Sequence, residues 1–269
     1  LKQGLVDLVK ASISGALILN VLFLIGLAMV AGGLKYKEQK FNKDSAGLSS
    51  TMLIIAVVGL ALPSLFDMVV GKPSPAMNIA VSTILGIVYL LSLLYTLGTH
   101  RHLFLVERQA PGAHSSRWSL KTAIIVLVVA TIGVAFEANI LVNTLKPVML
   151  STGISETFIG LIFIAVLTNV PEIISAMTFA RRNNMTLSLE IGMSSALQIA
   201  LFVVPVLVVM SSAFTGGALD LVFGPFELVG ILVTAMIANY IGSDGVCHWV
   251  EGAQLIAIYL LIGVAFYFL

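Results

Sequence analysis

Long apolar runs broken by short polar turns dominate the chain. Eight runs can be counted, at about 8–32, 48–70, 77–99, 118–144, 155–180, 187–211, 219–242 and 249–269. Each is long enough, at 1.5 Å per residue, to cross a hydrocarbon core about 30 Å thick as a helix. The longest connection, 101–117, is polar and reads as a cytosolic linker. The fold class this predicts is all-α, a polytopic membrane protein with no soluble domain.

Composition agrees. Of 269 residues, 59% are hydrophobic and 10% charged, and the mean hydropathy is +1.07. A water-soluble domain could not hide that much apolar surface. The net charge of +1 gives no reason to expect a nucleic-acid partner. The single cysteine, Cys247, excludes an internal disulfide and a cysteine-only metal site. His100, His102, His114 and His248 fall in turns or at run ends and read as solvated.

The basic residues set an orientation. Lys35, Lys37, Lys40 and Lys43 follow the first run. Arg101, Arg108, Arg117 and Lys121 surround the linker, and Arg181 and Arg182 follow the fifth run. Alternating helices place these turns on one side, leaving Lys2, Lys10, Lys72 and Lys146 on the other. Excess Lys and Arg marks the cytosolic side. Trp118, Trp249, Tyr36 and Tyr240 then form an aromatic belt near that interface.

The fifth and sixth runs carry the candidate chemistry. Thr168-Asn169-Val170-Pro171-Glu172 interrupts an apolar stretch. Glu172 lies nine residues before Arg181, roughly 13 Å of helix, which sets it near the bilayer midplane. A charged side chain there costs about 2.5–3.5 kcal/mol on insertion scales, so it marks a functional site. Three-residue spacing predicts Asn169 and Glu172 on one helix face. Pro171 lacks an N–H and frees the carbonyl of Leu167. An amide oxygen, a carboxylate and a freed carbonyl are hard oxygen ligands, the kind calcium takes. In the sixth run Gln198 lies one turn from Ser194, and a buried carboxamide needs partners. The tight turn joining the two runs lets their midplane faces meet, so Gln198 is expected near the same ion as Glu172. Glu137, deep in the fourth run, reads equally as a transport-path carboxylate and as a structural partner. Asp67, Glu190, Asp220, Glu227, Asp244 and Glu251 lie near run ends and read as solvated or capping.

An internal repeat relates the first and sixth runs. Ser14-Gly15-Ala16-Leu17-Ile18-Leu19-Asn20-Val21-Leu22-Phe23 aligns with Met193-Ser194-Ser195-Ala196-Leu197-Gln198-Ile199-Ala200-Leu201-Phe202. Both have small residues, a carboxamide within one position and an apolar run. The two runs cross in opposite directions, as inverted repeats of secondary transporters do. Gly15, Ala16, Ser194 and Ser195 read equally as close-packing residues and as ligands. Residues 118–269 hold a whole repeat of five helices, whereas residues 1–100 hold three. On equal-repeat logic two helices precede Leu1, the N-terminally incomplete repeat being 1–100.

Gly153-Ile154-Ser155-Glu156-Thr157-Phe158-Ile159-Gly160, the Asn169-to-Glu172 spacing, Ser195–Phe202 and Asp244–Gly252 together resemble the cation/proton exchangers, the CAX branch of the calcium/cation antiporter superfamily. The likeness covers nearly the whole chain. It implies a fold of ten core helices in two inverted repeats, of which about eight are present, and calcium bound between two Asn/Glu-bearing helices. Asn169 and Glu172 would be the second repeat's ligands, with Gln198, Asn20 and Ser195 as polar neighbours. The first repeat's glutamate would lie upstream of residue 1. The implied activity is Ca2+/H+ antiport by alternating access, with protons and calcium competing for midplane glutamates and no bound cofactor. The protein would not be an enzyme. It would sit in the cell membrane of a prokaryote or the vacuolar membrane of a eukaryote, and a homo-oligomer is compatible with it. The chain departs from the family's Gly-Asn-Ala-x-Glu-His motif at Thr168, Pro171 and Ile173. Pro before Glu is more like the sodium/calcium exchanger branch, so sodium-coupled exchange is the alternative, with a non-transporting scaffold behind it.

The orientation is testable. Cysteines introduced at Lys40, Ala110 and Asn183 are expected to label only from the cytosolic side. Labelling of any of them by an impermeant reagent on intact, correctly oriented cells overturns the topology.

Overall fold

The computed structural model describes residues 6–99, 119–152, 154–215 and 219–269. Ala110, Trp118, His100, His102, His114, Arg101, Arg108, Arg117 and most of the 101–117 linker's neighbourhood lie outside the described residues. Nine helices are described. They are α1 (Val6–Gly33), α2 (Lys43–Val69), α3 (Pro75–Thr99), α4 (Leu120–Thr152), α5 (Glu156–Thr168), α6 (Val170–Arg181), α7, α8 (Pro225–Asp244) and α9 (Trp249–Tyr267). Helix α7 joins Met185–Gln198, Ile199–Val203 and Val204–Thr215. Seven helices are long and apolar enough to span a bilayer, and α5 with α6 makes an eighth span if the bent pair counts as one. The protein is an integral, multi-pass membrane protein.

The chain forms two units. In the smaller, residues 107–155, α4 is apolar all round, with Leu127, Ile132, Val134 and Phe136 exposed. That suits a helix in contact with lipid on its flanks. Glu137 is exposed on this helix.

In the larger unit α1 is central. Some 83% of its apolar span is buried, against 22–44% for α2, α3, α7, α8 and α9. Glycines let its backbone touch its neighbours. A Cβ on Gly15 would lie 2.5 Å from the Cα of Leu161 in α5, and one on Gly160 would lie 2.8 Å from the Cβ of Ala11. Gly26 and Gly252 face each other across α1 and α9, where a Cβ on either would meet the other's carbonyl oxygen at 2.8 or 2.5 Å. Lipid tails are as apolar as leucine, so such close van der Waals contact is what holds helices together in a bilayer. Gly15 is thus a packing residue.

One end of this unit is tied by turns. Gln39 and Lys40, after α1, pair antiparallel with Cys247 and Val246, before α9, as strands β1 (Gln39–Lys40) and β2 (Val246–Cys247). Gly245, at φ 80°, ends α8 in the left-handed conformation and lets the chain enter β2. Gln39 Nε2 donates to Ala180 O at 2.8 Å and to Asn183 Oδ1 at 3.2 Å, and Lys35 Nζ donates to Arg181 O at 3.2 Å. Cationic Lys35 therefore sits on the negative C-terminal end of α6. The α1–α2, α6–α7 and α8–α9 turns share one end, as alternation of helices requires. Cys247 is buried, and its burial and the nearby Glu251 charge push the thiol up to about 12.

Most helix edges match the apolar runs to within a few residues, but α4 runs on to Thr152 rather than ending at 144, and α8 starts at Pro225 rather than 219. Two further departures concern the form of the helices. The fifth run is not one helix but two, bent by 56° at Asn169. Four helices contain a π-helical stretch among the described residues, α1 at Leu19–Leu24, α3 at Leu94–Thr99, α5 at Ile159–Ile164 and α7 at Ile199–Val203. The register that sets Ser14 against Met193 sets Leu19–Leu24 against Gln198–Val203, so the stretches of α1 and α7 coincide.

The glycine contacts yield a paired prediction. Gly15→Val forces a side chain into the α5 backbone and should cost about 1–3 kcal/mol or more, read as a lowered melting temperature in detergent. Gly86→Ala meets nothing within 4 Å and should leave the melting temperature level or slightly raised. Equal melting temperatures for the two variants would show that the α1–α5 contact does not carry stability.

Candidate functional site

The site begins with the break in the fifth run. Without a proline N–H at 171 the helical hydrogen-bond ladder cannot continue, and Asn169 takes up φ −106°, ψ 10° between the two halves. Its side chain closes the first half: Nδ2 donates to Ala165 O at 2.8 Å and to Thr168 Oγ1 at 3.2 Å. Its backbone carbonyl starts the second half, accepting from Ile173 N at 3.0 Å. Asn169 is only 5% exposed. The sequence reading put Asn169 and Glu172 on one face of one helix. Instead Asn169 is the joint, and Glu172 lies in the first turn of α6. There the positive end of the helix dipole faces the carboxylate, which lowers the cost of an ionised group at this depth.

Glu172 is half-buried, and its Oε2 is buried with no hydrogen-bond partner. Asn20 is fully buried in the π stretch of α1, against which α6 and α7 both pack. Such stretches turn side chains out of the regular helical register and recur at functional sites. The Asn20 Nδ2 donates to Ser195 Oγ of α7 at 3.1 Å, which fixes the amide so that Oδ1 faces away from that bond. Oδ1 is likewise buried and without a partner. A carboxylate oxygen and an amide oxygen on neighbouring elements thus lack donors. Buried acceptors of this kind are rare because each costs about 1–3 kcal/mol. A donor, a cation or, for the carboxylate, a proton would satisfy them.

Gln198 is placed differently from the sequence expectation. It is exposed, not buried, and lines a groove of about 270 Å³ with Ser49, Ser92, Thr96, Glu190 and Ser194, between α2, α3 and α7. Helical phase explains this: Ser195 turns toward α1, while Ser194 and Gln198, one turn apart, share the other side. Glu137 belongs to the other unit and is described only within it. No group of three or more His, Cys, Asp or Glu side chains able to hold a metal gathers among the described residues.

Sequence reasoning missed a set of buried polar contacts at the opposite end. Lys10, 9% exposed, pairs with Asp220, and Ser14 Oγ donates to Glu227 Oε1 at 2.9 Å. Glu227 also caps α8 through Gly224 N at 2.9 Å, and Glu251 caps α9 through His248 N at 3.1 Å. The capping roles were expected, but Glu227 is buried rather than solvated. The signal available was Lys10 itself, a lysine inside an apolar run four residues before Ser14.

Comparison with known proteins follows the same lines. The chain matches the sodium/calcium exchanger protein family over residues 1–98 and 122–268. It is 39% identical to a Ca(2+)/H(+) antiporter of Aphanothece halophytica, over 100% of this chain and 76% of that protein. It is 38% identical to the Ca(2+)/H(+) antiporter ChaA of Bacillus subtilis, over 100% of this chain and 78% of that protein. The structure of native YfkE superposes with a TM-score of 0.84 at 36% identity, covering 100% of this chain and 77% of that one. The chain belongs to the sodium/calcium exchanger protein family and groups within it with the Ca(2+)/H(+) antiporters.

Proposed function

We propose that this protein is a secondary active transporter that exchanges Ca2+ for H+ across a membrane, with Glu172 as the carboxylate both ions use. The observation that carries the reading is the pair of unsatisfied buried oxygens, Glu172 Oε2 and Asn20 Oδ1. With calcium the two serve as oxygen ligands. Without calcium the carboxylate takes a proton, because only its ionised form is a ligand. A proton neutralises Glu172, whereas Ca2+ on this one carboxylate leaves a positive charge, so the calcium-loaded state needs a second carboxylate to reach neutrality. The empty, ionised site is the costly state to carry across a bilayer, and that cost couples the two fluxes.

Asn169 and Ser195 act by position in this scheme. Asn169 sets the bend that aims Glu172, and Ser195 holds the Asn20 amide so that its oxygen faces the site. Gln198 serves from the groove side of α7, where Ser194 and Glu190 offer further oxygens. The coincidence of the π stretches of α1 and α7, two of the four among the described residues, supports two inverted repeats, 1–100 and 118–269, that rock about the midplane site. Protons rather than sodium are favoured as the counter-ion by the likeness to the Ca(2+)/H(+) antiporters, and no cluster of three or more acidic, histidine or cysteine side chains gathers among the described residues.

Glu172→Gln should abolish calcium uptake into proteoliposomes while leaving the protein folded and inserted, since the neutral amide keeps the shape. Asn20→Ala should weaken apparent calcium affinity by about tenfold or more, as loss of an orienting or ligating group does. Native-like uptake by Glu172→Gln would sink the assignment.

A further inference from the structure

Between α7 and α8, residues 219–224 run extended through the end of the bundle opposite the lysine-rich turns. Leu219, Leu221 and Phe223 are buried at alternate positions, 2–4% exposed, as in a strand covered on one face. Yet this strap pairs with no strand. Side chains from three helices satisfy its backbone instead. Leu219 N donates to Ser211 Oγ at 2.6 Å, Leu221 N to Asn78 Oδ1 at 3.4 Å and Phe223 N to Ser64 Oγ at 2.9 Å. Ser64 Oγ donates in turn to Leu221 O at 3.2 Å. Water can replace every one of these bonds, which is not true of a helix lodged in lipid.

The strap's anchor is α1. Lys10 Nζ pairs with the Asp220 carboxylate and donates to Val222 O at 3.0 Å. Ser14, one turn further on, donates to Glu227, and Glu227 accepts from Gly224 N at the strap's far end. Two residues one turn apart on one helix thus hold both ends of the strap. Lys72, from the α2–α3 turn, lies 3.8 Å from the second Asp220 oxygen but is largely exposed. One turn below Asn78 on the same face of α3 is Ser82, buried, its hydroxyl without a partner. The strap thus sits on polar side chains, Asn78 and Ser64, with buried Ser82 one turn along from Asn78.

We infer that Lys10 and Asp220 are positioning residues of the transport cycle, holding the strap Leu219–Gly224 in the non-cytosolic end, and that its release opens the path to that side. The ion pair is suited to the task. Held, it is part-buried, with Lys10 the drier partner, and it locks α1 to the strap. Broken from one side, it leaves a charge that water must reach. Movement of α1 against α8 during the cycle shifts Lys10 and Ser14 together and frees both ends at once.

The inference deepens the antiport reading, and its test separates the two. Ser82→Cys serves as the reporter, since native Cys247 is buried. An impermeant thiol reagent applied from the non-cytosolic side should label it slowly at rest. Labelling should quicken when opposed calcium and pH gradients drive turnover. It should also quicken by about tenfold or more at rest when Lys10→Met or Asp220→Asn is added, and return toward the native rate with Lys10→Arg. Melting temperature is followed for each variant, so that a rise in labelling from general unfolding is recognised. If Lys10→Met does not fold, Lys10→Arg and the gradient dependence of the reporter alone decide. Labelling that ignores both the gradients and the Asp220→Asn substitution, in protein that still moves calcium, overturns the strap. Absence of calcium flux in the native chain would instead strike the antiport reading.

Discussion

Backbone-to-backbone contact between α1 and the broken helix α5–α6 is the constraint on which the site depends. Gly15 lies against Leu161 and Gly160 against Ala11, with no side chain between. Seated there, α1 brings the π stretch that carries Asn20 against α6 and α7, which both pack on it. A larger residue at either glycine would push α1 away from α5. Gly26 and Gly252 repeat the arrangement against α9, so α1 is clamped on two sides. The large buried share of α1 follows from this, and so does its suitability as an anchor for the strap at the other end.

The break at Asn169 solves an electrostatic problem. A carboxylate within a continuous helix at this depth would have only the insertion cost. Cutting the helix beside it creates a fresh N-terminus whose positive dipole end points at the charge. The cut frees backbone groups too, and Asn169 answers for some of them through Ala165 and Ile173. What it leaves unanswered is Glu172 Oε2, together with Asn20 Oδ1. On the proposed reading, these are the oxygens that an exchanged ion would satisfy. The site must hold an ion firmly enough to desolvate it, and it must accept another in its place.

Much of this was legible in the sequence. The apolar runs gave the spans because a bilayer admits little but helices, and Pro171 announced the break. Glu172, Asn169 and Asn20 stood out as polar residues in lipid-length stretches. What failed was phase. The three-residue spacing of Asn169 and Glu172 assumed an unbroken helix, and the proline that was noted as freeing a carbonyl in fact ends it. Gln198 was assigned by its type, and only packing decides which side of α7 it faces. The strap was invisible because residues 219–224 extend an apolar run, and neither periodicity nor length separates an extended buried segment from the start of a helix. Lys10 and Asp220 lie far apart in sequence, and no local pattern could have paired them.

The central claim is that calcium and protons share one carboxylate. Calcium flux in vesicles, driven in turn by an imposed pH gradient and by an imposed sodium gradient, tests it most directly. The account predicts flux that follows the pH gradient, collapses with a protonophore, and is indifferent to sodium. Acid on the calcium-binding side should raise the apparent dissociation constant for calcium, because protonation removes the ligand. Flux driven by sodium at equal pH, untouched by a protonophore, would contradict it.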